Sequence, residues 1–143
     1  YHRRSFKTVS WAKPKKIIVI PIVGEIIDGR ATPSLFSSFL GVKTGSLDVI
    51  ETLEAALNDP DTSGIIVRIN SPGGDAIAGS KIQHALSEAQ KKVPVVASMS
   101  DVAASAGYMI ASGAQHIIAE PNTITGSIGV FSLYSRTKIL HFS

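Results

Sequence analysis

The alternation of apolar runs with amphipathic segments constrains the fold of this chain more than any other feature. Residues 16–23, 64–69 and 93–99 are apolar runs with the length of buried strands. Apolar side chains recur at helical spacing in residues 47–58, between the first two runs, and in residues 75–91, between the last two. Strands joined by helices of this length predict an α/β fold with a mainly parallel sheet and helical crossovers.

The predicted elements have recognisable ends and faces. Ser46 is expected to cap the first helix, with Asp48 favourably placed in its first turn. The inward face of the second helix is expected to consist of Ile82, Ala85, Leu86 and Ala89. The run at residues 16–23 is apolar enough to predict burial on both faces of the sheet.

The remaining segments of the chain have no long periodic pattern of apolar residues. Residues 24–46 are predicted to be a loop, and such a length is uncommon unless the loop has a function. Its apolar stripe is suited to covering a groove or contacting a partner subunit and consists of Phe36, Phe39 and Leu40. After the third strand the sequence predicts a helix from about Ala103 and a short strand at residues 116–120. A turn-rich segment at residues 121–129 and a last strand at residues 130–133 are expected to follow.

Composition excludes several function classes. The chain has 143 residues, of which 44% are hydrophobic and 17% charged, as expected of a globular domain. Its longest apolar run is far shorter than the roughly 18 residues that a membrane-spanning helix needs. Cysteine is absent, which removes disulfides, thiolate catalysis and cysteine-ligated zinc, and the four histidines lack metal-ligand spacing. We therefore expect neither a metal nor a cofactor.

Basic residues are concentrated near the start of the chain, where six of the first sixteen are Lys or Arg. We interpret residues 1–15 as a linker or juxtamembrane segment that precedes a domain over residues 16–143. A solvated tail is an alternative, and so is a stacking platform for single-stranded nucleic acid, because three aromatic residues lie among these charges: Tyr1, Phe6 and Trp11. Nothing else in the chain favours nucleic-acid binding.

Ser105 follows the third strand and is flanked by small residues on both sides. Small neighbours leave a hydroxyl accessible and let a substrate backbone approach, as a nucleophilic serine requires. The same pattern is also typical of close helix packing, and the stretch alone does not separate the two interpretations.

Gly73 and Gly74 lie in a second loop of small residues, after the strand at residues 64–69 and before a helix. Their backbone N–H groups could stabilise a developing oxyanion, because glycine leaves room for a substrate carbonyl. An ordinary turn and a phosphate cradle are the alternatives, although the sequence lacks both glycine-rich phosphate motifs. Both loops follow strands, and active residues of parallel sheets gather at the carboxyl ends of strands, so we expect the loops to converge.

Three ordered stretches carry a resemblance to a known family. Residues 70–74 (Asn-Ser-Pro-Gly-Gly), 98–108 and 121–130 resemble the signature stretches of signal peptide peptidase A, a family of membrane-associated serine proteases with a Ser–Lys dyad. The resemblance spans about residues 16–133. It implies a fold of the Clp-protease/crotonase type built from repeated β-β-α units.

The resemblance also implies roles for individual residues. Ser105 would be the catalytic nucleophile, and the backbone of Gly73 and Gly74 would form part of the oxyanion hole. The lining of the substrate cleft would include Ser71, Ala106, Gly107, Thr125, Gly126 and Ser127. At Ala106 the family usually has a glycine, which is a mild difference.

The general base is the element of the family pattern that the chain does not show. Family members take their lysine from a segment some dozens of residues after the serine, or from the other half of a duplicated chain. Lys138 is the only lysine after Ser105 and matches neither position. His116 lies within an apolar strand pattern, and Lys81 is expected to be a solvated helix residue. We therefore expect an incomplete protease domain without its base-bearing segment.

These observations together predict a serine endopeptidase that cuts signal peptide remnants and other apolar peptides through an acyl-enzyme on Ser105. The alternatives are an inert domain that keeps only the fold and its oligomer contacts, and a crotonase-like acyl-CoA enzyme. Expected partners are the peptide substrate, bound by strand addition, and either further copies of the chain or a second homologous domain that supplies the lysine. Membrane association would come from an N-terminal anchor outside this sequence and would face a non-cytoplasmic compartment.

Overall fold

A computed structural model describes residues 14–31 and 41–130 and confirms the α/β fold with a parallel sheet. The described strands and helices are, in chain order, β1 (Lys16–Ile27), β2 (Lys43–Gly45), α1 (Ser46–Asn58), β3 (Thr62–Gly74), α2 (Ala76–Ala89), β4 (Val95–Ala104), α3 (Ala106–Ala111), β5 (His116–Ile118) and β6 (Ile124–Gly126).

The described strands form one sheet in the order β2-β1-β3-β4-β5, and every pairing is parallel. The start of β4 pairs with β5 and its end pairs with β6. Near its end β4 also pairs with β3, where Ser71 lies opposite Ala103. The end of β4 is therefore held between two strands, and the chain leaves it at a fixed point.

The core lies between the sheet and the helices, where alternate side chains of β1, β3 and β4 pack against α1, α2 and α3. Ile22, Val67 and Ala97 are fully buried examples from the three central strands. The predicted burial of β1 on both faces is wrong for the described residues, since Ile17 and Val19 are 63% and 56% exposed. Helices cover one face of this strand, and no described element covers the other.

The two longer helices begin in different ways. The Asp75 carboxylate caps α2 by accepting a hydrogen bond from the Ala78 N–H at 2.7 Å. The prediction that Ser46 caps α1 is wrong, because Gly45 is the cap residue and Ser46 begins the helix. The Ser46 hydroxyl instead donates to Asp28 and accepts from the Gly29 N–H. These partners lie far away in sequence, which a local pattern does not reveal.

Other boundaries shift because strands are longer than their apolar runs. The helix expected from Ala103 begins at Ala106, since pairing with β3 and β6 extends β4 through Ala104. The segment expected as a loop contains the end of β1 and all of β2, and the turn-rich segment contains β6. Among the described residues, no helix is long and apolar enough to cross a membrane.

Several predictions concern residues outside the described ranges. They are the basic segment up to residue 13, the apolar stripe at Phe36, Phe39 and Leu40, the last strand beyond residue 130, and Lys138.

Candidate active site

The ends of β3 and β4 bring the two small-residue loops into contact. A Cβ atom added to Gly73 would lie 2.7 Å from the Ser105 Cβ and 3.1 Å from the Ala106 backbone nitrogen. Gly73 also has a φ of +109°, which side-chain-bearing residues rarely adopt. Glycine at this position therefore permits both the backbone conformation and the approach to Ser105.

Ser105 occupies a sharp turn from strand to helix and has a strained backbone. Its φ of +52° is unusual for a residue with a side chain. Two hydrogen bonds hold the residue: its N–H donates to Gly126 O at 2.9 Å, and its carbonyl accepts from the Met109 N–H at 2.9 Å. A serine on a strained strand-to-helix turn is the geometry of a nucleophile elbow, which exposes the hydroxyl.

The Ser105 side chain is half-buried, and its hydroxyl has no hydrogen-bond partner among the described residues. It borders a cleft of about 720 Å³. Residues of β3, α2, α3 and the segment after β6 line this cleft: Pro72, Gly74, Ala76, Ser105, Ala106, Tyr108, Met109, Ser112, Ser127, Ile128, Gly129 and Val130. Most of these side chains are apolar or small, which suits an apolar ligand.

The predicted cleft residues fall into three groups by location. Ala106 and Ser127 line the cleft itself. Thr125 and Gly126 form the strand behind it: the Thr125 hydroxyl donates to Ala103 O at 2.8 Å, and Gly126 O holds the Ser105 N–H. Gly107 and Ser71 face each other beneath the turn, where a Cβ on Gly107 would lie 3.1 Å from Ser71 O.

The small residues around Ser105 also allow close helix packing, which was the alternative interpretation of this stretch. A Cβ on Gly79 of α2 would lie 3.0 Å from the Ala106 Cβ on α3. The short helix after Ser105 therefore packs tightly against α2. Small residues here serve both the packing of the turn and the access to its serine.

Ser71 is fully buried, and its hydroxyl bridges two backbone groups. Its Oγ lies 2.6 Å from Gly24 O and 3.1 Å from the Gly73 nitrogen. The Gly73 N–H is thus engaged by Ser71. The Ala106 N–H, by contrast, has no acceptor among the described residues.

No lysine or histidine lines this cleft among the residues that the structure describes. Lys81 forms an ion pair with Asp28 at 2.8 Å on the outer surface. His116 is exposed on β5 and pairs with Val96 near the start of β4, whereas Ser105 follows the end of that strand. Within the described ranges there is also no cluster of side chains suited to a metal ion.

Sequence reasoning missed two features of the site. It read residues 121–129 as turns, although β6 lies within them and carries the carbonyl that holds Ser105. Thr123 and Thr125 were the available signal, since β-branched residues at alternate positions favour a strand. It also missed the part of the cleft wall formed by Tyr108, Met109 and Ser112.

The chain is similar in sequence to known proteases. Residues 87–139 match the model of peptidase family S49. Protease 4 of Haemophilus influenzae is 40% identical over 122 residues, which are 85% of this chain and 18% of the relative. The chloroplastic serine protease SPPA of Arabidopsis thaliana is 45% identical over 82 residues, which are 57% of this chain and 12% of the relative. The chain thus spans less than a fifth of the length of these two relatives.

Two solved structures share the fold. A variant of the 1510-N membrane-bound stomatin-specific protease superposes with a TM-score of 0.62 at 21% identity, covering 90% of this chain and 55% of that one. A variant of ClpP1 from Listeria monocytogenes superposes with a TM-score of 0.53 at 25% identity, covering 73% and 52% of the two chains. These likenesses confirm the fold of the Clp-protease type.

Proposed function

Because this chain belongs to peptidase family S49, we propose that it carries the nucleophile of a serine endopeptidase of the signal peptide peptidase type. Ser105 would attack the carbonyl carbon of a peptide bond and form an acyl-enzyme, which water then hydrolyses. The observation that carries the proposal is the strained turn at Ser105, which directs an unpartnered hydroxyl to an apolar cleft beside Gly73.

The oxyanion of the tetrahedral intermediate would be stabilised by backbone N–H groups on both sides of Ser105. On the glycine side, Gly73 leaves the space and Gly74, which lines the cleft, donates. On the other side the donor would be Ala106, the residue after the nucleophile, whose N–H is unoccupied among the described residues. Removing one such donor typically slows catalysis by about 10² to 10³.

The substrate would be an extended, mostly apolar peptide such as a signal peptide remnant. An apolar cleft with few polar groups favours side chains of this kind. Ala106 and Ser127 would contact the peptide, while Ser71, Gly107, Thr125 and Gly126 would support the cleft wall from behind. Pairing of the peptide backbone with an exposed strand would fix its direction.

The general base would be a lysine with a lowered pKa, as a serine–lysine pair requires near neutral pH. None of the described lysines lines the cleft. Ion pairs with carboxylates elsewhere engage Lys16, Lys43, Lys81 and Lys91. We therefore propose that the base comes from a second copy of the chain or from a homologous domain of a longer polypeptide.

The setting of the enzyme would be a membrane surface on a non-cytoplasmic side. Residues 1–15 would form the basic juxtamembrane segment after an N-terminal anchor, and residues 16–143 would belong to the protease domain. A membrane-bound protease of the same fold supports this setting. Basic residues near an anchor are attracted to anionic lipid headgroups.

Labelling with a fluorophosphonate probe tests the proposed function. The wild-type protein should be labelled covalently, with the adduct found on Ser105 by mass spectrometry, and Ser105→Ala should not react. Ser87→Ala on α2 is the matched control and should react like wild type, because Ser87 lies outside the cleft. A folded wild-type protein that stays unlabelled, even in its full-length form, would contradict an activated serine and favour the inert domain.

A further inference from the structure

The Ser71 hydroxyl connects a kink in β1 to the backbone beside Ser105. A hydroxyl has one proton to donate and two lone pairs that can accept. At 2.6 Å, Gly24 O is the closer acceptor, since Gly73 O lies 3.4 Å away. The Gly73 N–H donates to Ser71 Oγ at 3.1 Å. The three groups form a short chain of hydrogen bonds, which is buried at Ser71 and Gly73 and partly buried at Gly24.

The Gly24 end of this chain is fixed. The register between β1 and β3 shifts between Val23 and Glu25, and Gly24 within the kink has a φ of +74°. A side chain on Gly24 would overlap the Val42 carbonyl, which accepts a hydrogen bond from the Glu25 N–H at 3.1 Å. The Gly24 carbonyl is therefore a rigid anchor for the Ser71 hydroxyl.

The Gly73 end is next to the reacting centre. A peptide group is planar, so a hydrogen bond to the Gly73 N–H fixes the orientation of the whole Pro72–Gly73 peptide. Gly74 follows directly and lines the cleft. Glycines lack side chains that would restrict their rotation. Pairing with Glu25 and Ile26 of β1 holds one edge of this stretch, and the Ser71 hydroxyl holds the Gly73 N–H.

We propose that Ser71 is a positioning residue of the oxyanion site: its hydroxyl holds the Pro72–Gly73 peptide, from which the next peptide, Gly73–Gly74, presents the Gly74 N–H to the substrate carbonyl. Ser71 acts through the backbone and does not touch the substrate. The proposal rests on the proposed function of Ser105, and it adds a role for a buried side chain behind the cleft.

Ser46 is a matched control that separates a positioning role of Ser71 from a purely structural one. Ser46 and Ser71 are both 0% exposed. Each hydroxyl donates to one oxygen and accepts from a glycine N–H; for Ser46 these partners are Asp28 and Gly29, at 2.8 and 3.0 Å. Alanine at either position removes a buried hydrogen-bonding group, but only Ser71 bonds to the glycine that lies beside Ser105.

The test uses a thiol in place of the nucleophilic hydroxyl. The natural chain has no cysteine, so Ser105→Cys introduces a single thiol. The thiolate attacks p-nitrophenyl acetate to form a tetrahedral oxyanion, which expels p-nitrophenolate and leaves a thioester. With iodoacetamide the thiolate displaces iodide directly, and no oxyanion forms. The rate constant with p-nitrophenyl acetate, divided by that with iodoacetamide, therefore measures how well the protein stabilises the oxyanion. Changes in the exposure or ionisation of the thiol affect both rate constants and cancel in this ratio.

We expect Ser71→Ala, in the Ser105→Cys protein, to lower this ratio about tenfold or more, because the loss of a whole oxyanion donor is worth about 10² to 10³. Ser46→Ala in the same background should leave the ratio unchanged, whatever stability it loses. An unchanged ratio in folded Ser71→Ala would overturn the proposal, and so would an equal fall in Ser46→Ala.

Amide hydrogen exchange in the unmodified protein gives a second measurement that does not depend on the folding of a variant. The Gly73 amide should exchange at least about tenfold more slowly than a solvent-exposed amide, because Ser71 holds it in the interior. Exchange of Gly73 at the rate of an exposed amide would overturn the proposal. Failure of fluorophosphonate labelling would instead count against the proposed function and leaves both of these readouts intact.

Discussion

Gly73 is the residue on which access to Ser105 depends most directly. A Cβ atom added to Gly73 would lie only 2.7 Å from the Ser105 Cβ, and its φ of +109° is one that alanine adopts only under strain. We expect Gly73→Ala to abolish fluorophosphonate labelling, since the added methyl group must displace the nucleophile. The unfolding free energy should fall by about 1–3 kcal/mol from backbone strain, measured by urea denaturation.

A matched glycine separates the steric effect from the strain. Gly29 has a φ of +84°, but a Cβ added there would meet no atom within 4 Å. Gly29→Ala should therefore lose stability through strain and keep the wild-type labelling rate. Equal labelling by Gly73→Ala and Gly29→Ala would show that the space beside Ser105 does not matter.

At this scale the sequence predicted which residues meet but not how they are oriented. Strand ends and small residues were enough to predict that the Gly73 and Ser105 loops converge, and they do. The Ser105 N–H donates to Gly126 O, and the Gly73 N–H donates to Ser71 Oγ. These partners are brought together by packing between distant parts of the chain, which a local sequence pattern does not predict.

β6 is the element that holds the nucleophile turn in place. It pairs with the end of β4, and its Gly126 carbonyl accepts the Ser105 N–H at 2.9 Å. The Thr125 hydroxyl adds a hydrogen bond to Ala103 O at 2.8 Å. Thr125→Val keeps the shape and the strand propensity but removes this bond, so we expect about 1 kcal/mol less stability.

Thr125→Val should also slow the labelling of Ser105 about fivefold, because the roughly 1 kcal/mol of the lost hydrogen bond then no longer holds the Ser105 turn in its reactive position. Thr52→Val is the control, because the Thr52 hydroxyl also donates to a backbone carbonyl, that of Asp48 at 2.7 Å, but on α1 away from the cleft. It should label at the wild-type rate. A Thr125→Val protein that labels as fast as Thr52→Val would contradict a positioning role for β6.

Elements were predicted well where their apolar pattern was long and poorly where their stability comes from pairing. The helices at residues 47–58 and 75–91 were found within two residues of their observed ends. β2 and β6 lie in segments expected to be a loop and turns, because their sequences, Lys-Thr-Gly and Ile-Thr-Gly, lack the apolar run that predicts β5. Parallel pairing with β1 and β4 forms these strands, and that information lies elsewhere in the chain.

Across the whole molecule, a cluster around Asp28 connects the end of β1 to two helices. The Asp28 carboxylate accepts hydrogen bonds from Lys81 on α2 and Ser46 on α1. The hydrogen bond from Lys81, followed by that from Ser46, lowers the pKa of Asp28 below its ordinary value. A lowered pKa in the folded state means that this stabilisation is present above the unfolded-state pKa and is lost as the pH falls through the folded-state pKa.

We therefore expect Asp28→Asn to be less stable than wild type at neutral pH, and to lose less of its remaining stability as the pH falls below about 5. The urea midpoint at a series of pH values measures both effects. Glu54→Gln removes an exposed carboxylate of α1 that has no hydrogen bond or ion pair among the described residues, and it should keep the wild-type slope. A slope in Asp28→Asn equal to that of wild type would show that the cluster does not contribute to acid sensitivity.

The source of the general base is a question for the whole assembly, because no lysine lines the cleft in the described part of the chain. If a second copy supplies the lysine, labelling of Ser105 requires association, and association follows mass action. The labelling rate per molecule should then fall on dilution, in parallel with the loss of oligomer measured by light scattering. If a homologous domain of the same longer polypeptide supplies it, the rate per molecule should stay constant over about a hundredfold dilution. Loss of oligomer with a constant rate would exclude a base from the second copy, and a rate that falls with the oligomer would exclude one from within the same polypeptide.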